Sequence, residues 1–424
     1  MRRSHFRAGL ILAAVTLLGG ASAVAAGPAA LAAPRAAGPA LTSRAELASA
    51  SAAGTAGMLH AVAAVSSRDI WAVGCSGSCN GPDSLILHWN GATWSKVASP
   101  DPGPGLDELT GVSVVSASDV WAVGYDCDQA NCDAAGNVWG TLILHWNGTK
   151  WSTVASPDPS TTSNQLFGVT AVSAGDVWAA GSEVPNILGA TPMTDTLILH
   201  WNGTKWSTVS SPNVTGASNT LYGVDANSAT SAWAVGNECD FFACPYPGVT
   251  TGTLIMHWNG KTWSKVSSPS PGDTNNVLFG VSVVTSDDAW AVGDTSGGPA
   301  GGNGSLVVHW NGTKWSRVAS PNPGSQFNDL QAVSAASASD IQAAGNQLGA
   351  DLPYTTLTEH WNGKAWSAVA SPNGTIADPF VNFLAGVTAI SSCDAVAVGW
   401  VQSSGTPSYQ VLILRWNGKT WSQS

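Results

Sequence analysis

The sequence predicts an all-β fold, and within that class a seven-bladed β-propeller with four antiparallel strands in each blade. The first observation is a motif repeated seven times, whose copies (units 1 to 7) open at Leu59, Leu109, Leu166, Leu221, Leu278, Leu330 and Leu384. The second is an Asn-Gly pair at the same place in every unit. The third is the period of about 50–57 residues, which is typical of arrays whose units bury apolar surface against one another.

Each unit supplies four short apolar segments, as unit 2 illustrates. LTGVSVV (109–115) is rich in β-branched residues and stops at the turn-forming SASD, and DVWAVG (119–124) ends at a glycine. TLILHW (141–146) and WSTVAS (151–156) flank Asn147-Gly148, a strong β-hairpin signal because both residues tolerate positive φ. The third residue of the first segment is glycine in five units, so we expect that strand to be innermost, where strands crowd the axis.

The first 58 residues are predicted to lie outside the propeller. Residues 1–33 combine a basic start, a short apolar run and small residues, which predicts a cleaved signal peptide and a secreted, extracellular protein. Residues 34–58 are rich in Ala, Gly and Ser and predict a flexible linker before the propeller at 59–424. No later segment approaches the about 18 apolar residues of a membrane span.

The composition limits the kinds of partner that the chain can bind. Only 10% of the residues are charged and the formal net charge is −11, so the chain offers no basic groove and nucleic acid is excluded. We predict a monomer without a cofactor, whose partner is an extracellular protein or a carbohydrate.

The repeat unit resembles the kelch repeat of galactose-oxidase-type propellers. DVWAVG corresponds to the apolar strand that ends in glycine, and HWNGTKWSTV (145–154) to the strand, turn and Trp that open the last strand. The unit is also similar to Asp-box propellers of the sialidase and photosystem-assembly type, and we place it with secreted bacterial proteins of these kinds. The resemblance implies the fold over 59–424. It implies no activity, because the five tyrosines match no copper-site motif and the propeller has only Arg68, Arg317 and Arg415 where a sialidase needs three converging arginines.

The loops between second and third strands differ in length and sequence, whereas the turns on the opposite face are uniform. Variation on a repeated frame is where binding usually lies, so we predict a ligand at the variable face, at the mouth of the channel. The acidic candidates on that face are Asp107, Glu108, Asp126, Asp128, Glu183, Glu238 and Asp240. We predict no metal site: the loop around Asp126 is interpreted as solvated, with Ca²⁺ as the alternative, and the histidine that recurs in the third strand as packing.

Three cysteine pairs each fall within one loop of the variable face. They are Cys75 with Cys79, Cys127 with Cys132, and Cys239 with Cys244, and Cys393 is left single. A secreted context favours oxidation, so we predict three local disulfides.

Charge interrupts the repeat in units 6 and 7. Glu359 replaces a third-strand Leu, Gln342 replaces the second-strand Trp, and Arg415 replaces the recurring His. If the Leu-type face of unit 6 looks toward unit 7, Glu359 and Arg415 form a structural ion pair, because a buried carboxylate needs a partner. Solvent-facing charges and catalysis are the alternatives.

Two classes of function remain. The first is a non-catalytic binding or scaffold propeller, with a Trp-rich lectin as one version, and in this class no residue is catalytic. The second is an extracellular hydrolase, lyase or oxidase at the channel mouth, which would require the acidic candidates to converge.

Overall fold

The structure is a computed structural model that describes residues 55–79, 81, 83–100, 105–127, 138–185, 193–239, 250–296, 303–351, 353–376, 378–404 and 408–424. The predicted signal peptide and most of the predicted linker lie outside these residues. The described part of the chain is all β, and none of it forms a helix long and apolar enough to cross a membrane.

Every repeat unit folds into four strands. Unit 1 contains β1 (Gly57–Ser66), β2 (Asp69–Ser76), β3 (Ser84–Trp89) and β4 (Trp94–Lys96). Unit 2 contains β5 (Asp107–Ser116), β6 (Asp119–Cys127), β7 (Trp139–Trp146) and β8 (Trp151–Thr153). Unit 3 contains β9 (Ser163–Ser173), β10 (Asp176–Val184), β11 (Asp195–Trp201) and β12 (Trp206–Thr208). Unit 4 contains β13 (Ser218–Ser228), β14 (Ser231–Cys239), β15 (Thr251–Trp258) and β16 (Trp263–Val266).

The last three units repeat the pattern. Unit 5 contains β17 (Asn275–Thr285), β18 (Asp288–Ser296), β19 (Gly304–Trp310) and β20 (Trp315–Val318). Unit 6 contains β21 (Phe327–Ser337), β22 (Asp340–Leu348), β23 (Thr355–Trp361) and β24 (Trp366–Val369). Unit 7 contains β25 (Pro379–Ser391), β26 (Asp394–Ser403), β27 (Tyr409–Trp416) and β28 (Trp421–Gln423).

The strands pair in chain order within each unit, always antiparallel. Five units form separate four-stranded sheets, and units 2 and 3 share one eight-stranded sheet. A single parallel pairing, Trp139 with Ser163, joins those two units. The first strands of successive units contact one another, and β25 contacts β1, so the units close into a ring.

The first strand is innermost, as the glycines predict. A Cβ added to Gly280 would lie 3.1 Å from the Ala332 Cα of the next first strand, closer than nearly all real contacts. Hydroxyls also join the first strands, because Ser113 accepts a hydrogen bond from the Ala171 amide at 2.9 Å and Ser334 from the Ala389 amide at 2.9 Å. Only a small side chain fits this packing.

In units 1 to 5, a second-strand tryptophan packs the unit against the next one. Trp71 of the second strand lies 4.9 Å from Trp146 and 5.3 Å from Trp151, ring centre to ring centre, and both belong to unit 2. Its other side stacks on His88 at 4.2 Å, whose Nε2 bonds to Asp69 at 2.8 Å. The recurring histidine is therefore a packing residue, held by its aspartate.

Ring closure involves more than side-chain packing. The Val411 amide of β27 donates a hydrogen bond to the Thr55 carbonyl at 3.0 Å, and Ala56 bridges to Gln410. Both Thr55 and Ala56 were expected in the linker, and β1 begins at Gly57, two residues before the predicted start.

The predicted ion pair between Glu359 and Arg415 is wrong. The Arg415 guanidinium bonds to Asp394 of its own unit at 2.9 Å and to the Ser67 carbonyl of unit 1 at 2.9 Å. The carboxyl oxygens of Glu359 are buried without a hydrogen-bond partner. The reason is orientation: the Leu-type residues pack against the preceding unit, as Leu144 does against unit 1, so Glu359 faces unit 5 while Arg415 faces unit 1.

The cysteines follow the predicted pattern where the structure describes them. Cys75 and Cys79 form a disulfide, and Cys393 is exposed and outside any disulfide. Cys127 and Cys239 are also disulfide-bonded. Their predicted partners, Cys132 and Cys244, lie outside the described residues, so those two pairings stay predictions.

Candidate functional site

The candidate site lies where second strands end and third strands begin, here named the variable end. At this end the first strand of each unit carries a β-bulge directly after its opening Leu, as at His60 between Leu59 and Ala61. A bulge leaves one residue out of the ladder and redirects its side chain. The bulge residues are His60, Thr110, Phe167, Tyr222, Phe279, Gln331 and Ala385.

These residues form a belt with two neighbours in each unit. We define the entrance belt as the bulge residue, the residue before the opening Leu, and the residue after the second-strand glycine. Contacts run from unit to unit: Tyr125 lies 6.2 Å from Phe167, Phe167 lies 5.6 Å from Tyr222, and Tyr222 lies 5.4 Å from Phe279. Units 2 to 5 therefore give the belt an aromatic arc.

On one side of that arc the belt brings together an imidazole, a carboxyl and a phenol. His60 Nδ1 lies 3.5 Å from Glu108 Oε1, and Tyr125 lies directly opposite Glu108 in the pairing of β5 with β6. Burial raises the pKa of Glu108 to about 7, and burial lowers the pKa of His60 to about 4. His60 also stacks on Trp400, which in turn stacks on Phe383.

On the other side the belt holds two carboxyls from adjacent units. Burial raises the pKa of Asp294 to about 7, and burial together with the charge of Asp294 raises the pKa of Asp329 well above its ordinary value. The Asn275 amide donates to Asp294 Oδ2 at 2.8 Å, and the Gln331 amide donates to Asp329. Both carboxyls are less than a tenth exposed.

Asp107 occupies a structural position. Two residues before the opening Leu, five other units carry a buried asparagine that bonds to backbone groups of the preceding connection: Asn164, Asn219, Asn276, Asn328 and Asn382. Asp107 is the unit 2 equivalent and is fully buried. Its place in the repeat explains why it is buried, and no catalytic or binding role is needed to account for it.

The other acidic candidates do not converge. Glu183 lies opposite Asp195 in the register, and burial and that carboxylate raise the pKa of Glu183. Glu238 forms an ion pair with Lys265 of the fourth strand, toward the outer side of unit 4. Asp126 is half-buried opposite Asp107. Asp128 and Asp240 lie outside the described residues.

Sequence reasoning found Glu108 but missed its partners and the second carboxyl pair. The signal was present in the position after the opening Leu, which changes from His60 to Phe167 to Gln331 while its neighbours stay constant. A position that varies inside a constant strand indicates a side chain outside the core.

A shallow groove of about 390 Å³ lies away from the belt, along the outer strands of unit 6. Thr356, Val369 and Ser371 are among its lining residues, and none of the lining side chains is titratable. The groove therefore supplies no acid–base chemistry.

No protein-family model and no curated protein sequence matches this chain. Solved structures do resemble it. A structure described as a new family of polysaccharide lyase, PL25 ulvan lyase, aligns at a TM-score of 0.52 and 12% identity, over 87% of this chain and 96% of the lyase. The same lyase bound to -[GlcA(1-4)Rha3S]- aligns at 0.52 and 11%, over 87% and 96% of the two chains.

YCF48 bound to a D1 peptide aligns at a TM-score of 0.49 and 13% identity, over 86% of this chain and 94% of the other. At such identities the likeness extends to the fold alone. The repeated four-stranded units and the likeness to the lyase structures define the chain as a β-propeller protein.

Proposed function

We propose that this chain is a secreted, non-catalytic binding propeller whose ligand is held at the entrance belt. One observation carries the proposal. The titratable belt groups are enclosed, with His60, Glu108 and Asp329 each at most 3% exposed, whereas the aromatic Tyr222 and Trp400 are partly accessible. A ligand at the belt therefore meets aromatic faces, while buried carboxyls and amides shape the floor.

We further infer seven blades of a kelch-like repeat, one blade per unit. The repeat count and the four strands of every unit support this number. The pairing of Trp139 with Ser163 that merges units 2 and 3 is a single bridge, and similar hydrogen bonds cross other unit boundaries, such as the Asn219 amide to the Thr194 carbonyl at 2.7 Å. These are contacts between blades rather than an extension of one blade.

A carbohydrate is the ligand class that we favour over a protein. Planar aromatic side chains offer flat apolar area at a small cost in conformational entropy. The formal net charge of −11 repels acidic polymers. Neutral sugars suit such a surface.

The test is a binding screen of the oxidised chain against glycans and cell-wall polymers. We expect one class to bind, and Trp400→Ala and Tyr222→Ala to weaken binding at least about tenfold, as loss of an aromatic contact does. Val65→Ser, an exposed change at the opposite end of β1, is the matched control. Binding that survives both aromatic changes, or a ligand that is a protein alone, would contradict the proposal.

A second candidate is a polysaccharide-cleaving enzyme at the same belt. The contact of His60 with Glu108, which lies opposite Tyr125, favours it, since a base and an acid meet there beside a phenol. Under this alternative, polymers that bind would be shortened, and Glu108→Gln would abolish shortening while leaving polymer binding intact.

A further inference from the structure

Asp294 and Asp329 form an unusual pair in the entrance belt. Asp294 follows the second-strand glycine of unit 5, and Asp329 precedes the opening Leu of unit 6. β18, which carries Asp294, contacts β21, which carries Asp329, and the charge of Asp294 raises the pKa of Asp329. Two buried carboxylates at close range repel each other unless something neutralises them.

The described residues supply no neutralising cation. No Lys, Arg or His nitrogen of the described chain forms an ion pair with either carboxyl. Each carboxyl receives one neutral side-chain amide donor, from Asn275 and from Gln331. Two neutral amides cannot balance two negative charges, and Asp329 Oδ1 has no hydrogen-bond partner.

A second observation is independent of the acids. Asn346 is 4% exposed, and its Oδ1 is buried without a hydrogen-bond partner. Asn346 pairs directly with Asp329 across β21 and β22, so the two side chains share one face of the sheet. An unsatisfied amide oxygen beside an unsatisfied carboxylate oxygen is a costly arrangement for side chains alone, and one that a cation satisfies.

We propose that Asp294, Asp329 and Asn346 bind a Ca²⁺ ion at the entrance belt, between units 5 and 6. Carboxylate and amide oxygens are the ligands that Ca²⁺ takes, in sets of about 6–8 that water completes. Zn²⁺ is disfavoured because no nitrogen or sulfur ligand belongs to the set. Mg²⁺ is disfavoured because it demands near-ideal octahedral geometry and gives up water reluctantly.

The site is independent of the proposed carbohydrate function, since its readout needs no glycan. The experiment is calorimetric titration of the full, oxidised chain, stripped with a chelator, with CaCl₂ and separately with MgCl₂. We expect one Ca²⁺ per chain, weaker binding of Mg²⁺, and a rise in melting temperature with added Ca²⁺.

Asp329→Asn and Asp294→Asn should each weaken Ca²⁺ binding by more than about 100-fold. Loss of a residue that only holds a metal ligand in place costs about 10–100-fold, and each of these changes removes a charged ligand itself. Asn346→Leu should weaken it less, because it removes an uncharged ligand, and it is the second variant if an aspartate change impairs folding. Glu238→Gln, another acid of the variable end, should leave affinity unchanged. Absence of Ca²⁺ binding in the parent chain would overturn the proposal and leave a pair that shares a proton. Affinity unchanged in the Asp294→Asn, Asp329→Asn double variant would overturn it equally.

Discussion

Glu359 is a carboxyl in a position built for leucine, and replacing it should stabilise the protein. The equivalent residues Leu144 and Leu199 are buried in the apolar clusters between units. Burial raises the pKa of Glu359 from 4.5 to about 8. At neutral pH the folded protein therefore holds a proton that the unfolded chain releases.

The magnitude follows from this pKa. From pH 4.5 to 7 the cost of holding the proton grows by about 1.4 kcal/mol per pH unit, or about 3 kcal/mol over 2.5 units. Leucine in this place would also bury apolar surface worth about 2 kcal/mol. We expect Glu359→Leu to raise the free energy of unfolding by about 3–5 kcal/mol at pH 7.

The pH dependence gives a second, sharper signature. Because the folded state binds more protons than the unfolded state between pH 4.5 and 8, parent stability falls through that window as pH rises. The free energies of unfolding of the parent and of Glu359→Leu should therefore differ least near pH 4.5, and the difference should grow up to about pH 8. Glu359→Gln, the matched control, removes the titration but keeps an unsatisfied buried amide.

The assay is urea denaturation of the three proteins between pH 5 and 8 under oxidising conditions, compared by midpoint at constant slope. If the difference in free energy of unfolding between the parent and Glu359→Leu does not change with pH, the reasoning from burial is refuted. A leucine variant no more stable than the parent at pH 7 would refute it as well.

Three further predictions concern the ring. Arg415→Ala removes the bonds to Asp394 and to unit 1, and thermal unfolding should show a loss of about 1–2 kcal/mol, less than a buried pair because the guanidinium is about a quarter exposed. Trp233→Ala empties one interface between units and should cost about 3–5 kcal/mol in urea denaturation, and a cost under 1 kcal/mol would show that the tryptophan does not hold the interface. Gly280→Val should lower the free energy of unfolding by about 1–3 kcal/mol in urea denaturation, because its Cβ would lie 3.1 Å from the next first strand, whereas Gly81→Ala, with open space around it, should leave that energy unchanged.

The repeat made the fold predictable, because each signal recurs in every unit. Asn147-Gly148 forms its hairpin, with Gly148 at φ of 89°, and Gly111 packs near the next first strand as expected. Local turn chemistry and the crowding of the axis act within a few residues or between identical strands. Such effects can be worked out from one unit and then applied to all.

The candidate site was less predictable because it depends on how units face each other. Glu108 was a candidate, but its contact with His60 comes from a bulge in a different unit, and only a comparison of all the units shows that the bulge position varies. The predicted partner of Glu359 failed for the same reason, since a strand pattern defines two faces without saying which one meets the preceding unit. The candidate site and the wrong prediction both lie at non-repeated residues in repeated positions.

The tryptophan packing also makes several interfaces between units nearly identical. Trp71, Trp121 and Trp178 each meet the same pair of tryptophans in the following unit at nearly the same distances. A chain built this way can gain a copy by duplication without evolving a new interface, and the identical segments at 141–154 and 196–209 are what a recent duplication would leave behind. Arg415 is different, because it occupies a position that is histidine in the other units. It bonds to unit 1 and therefore marks the interface between the first and last copies.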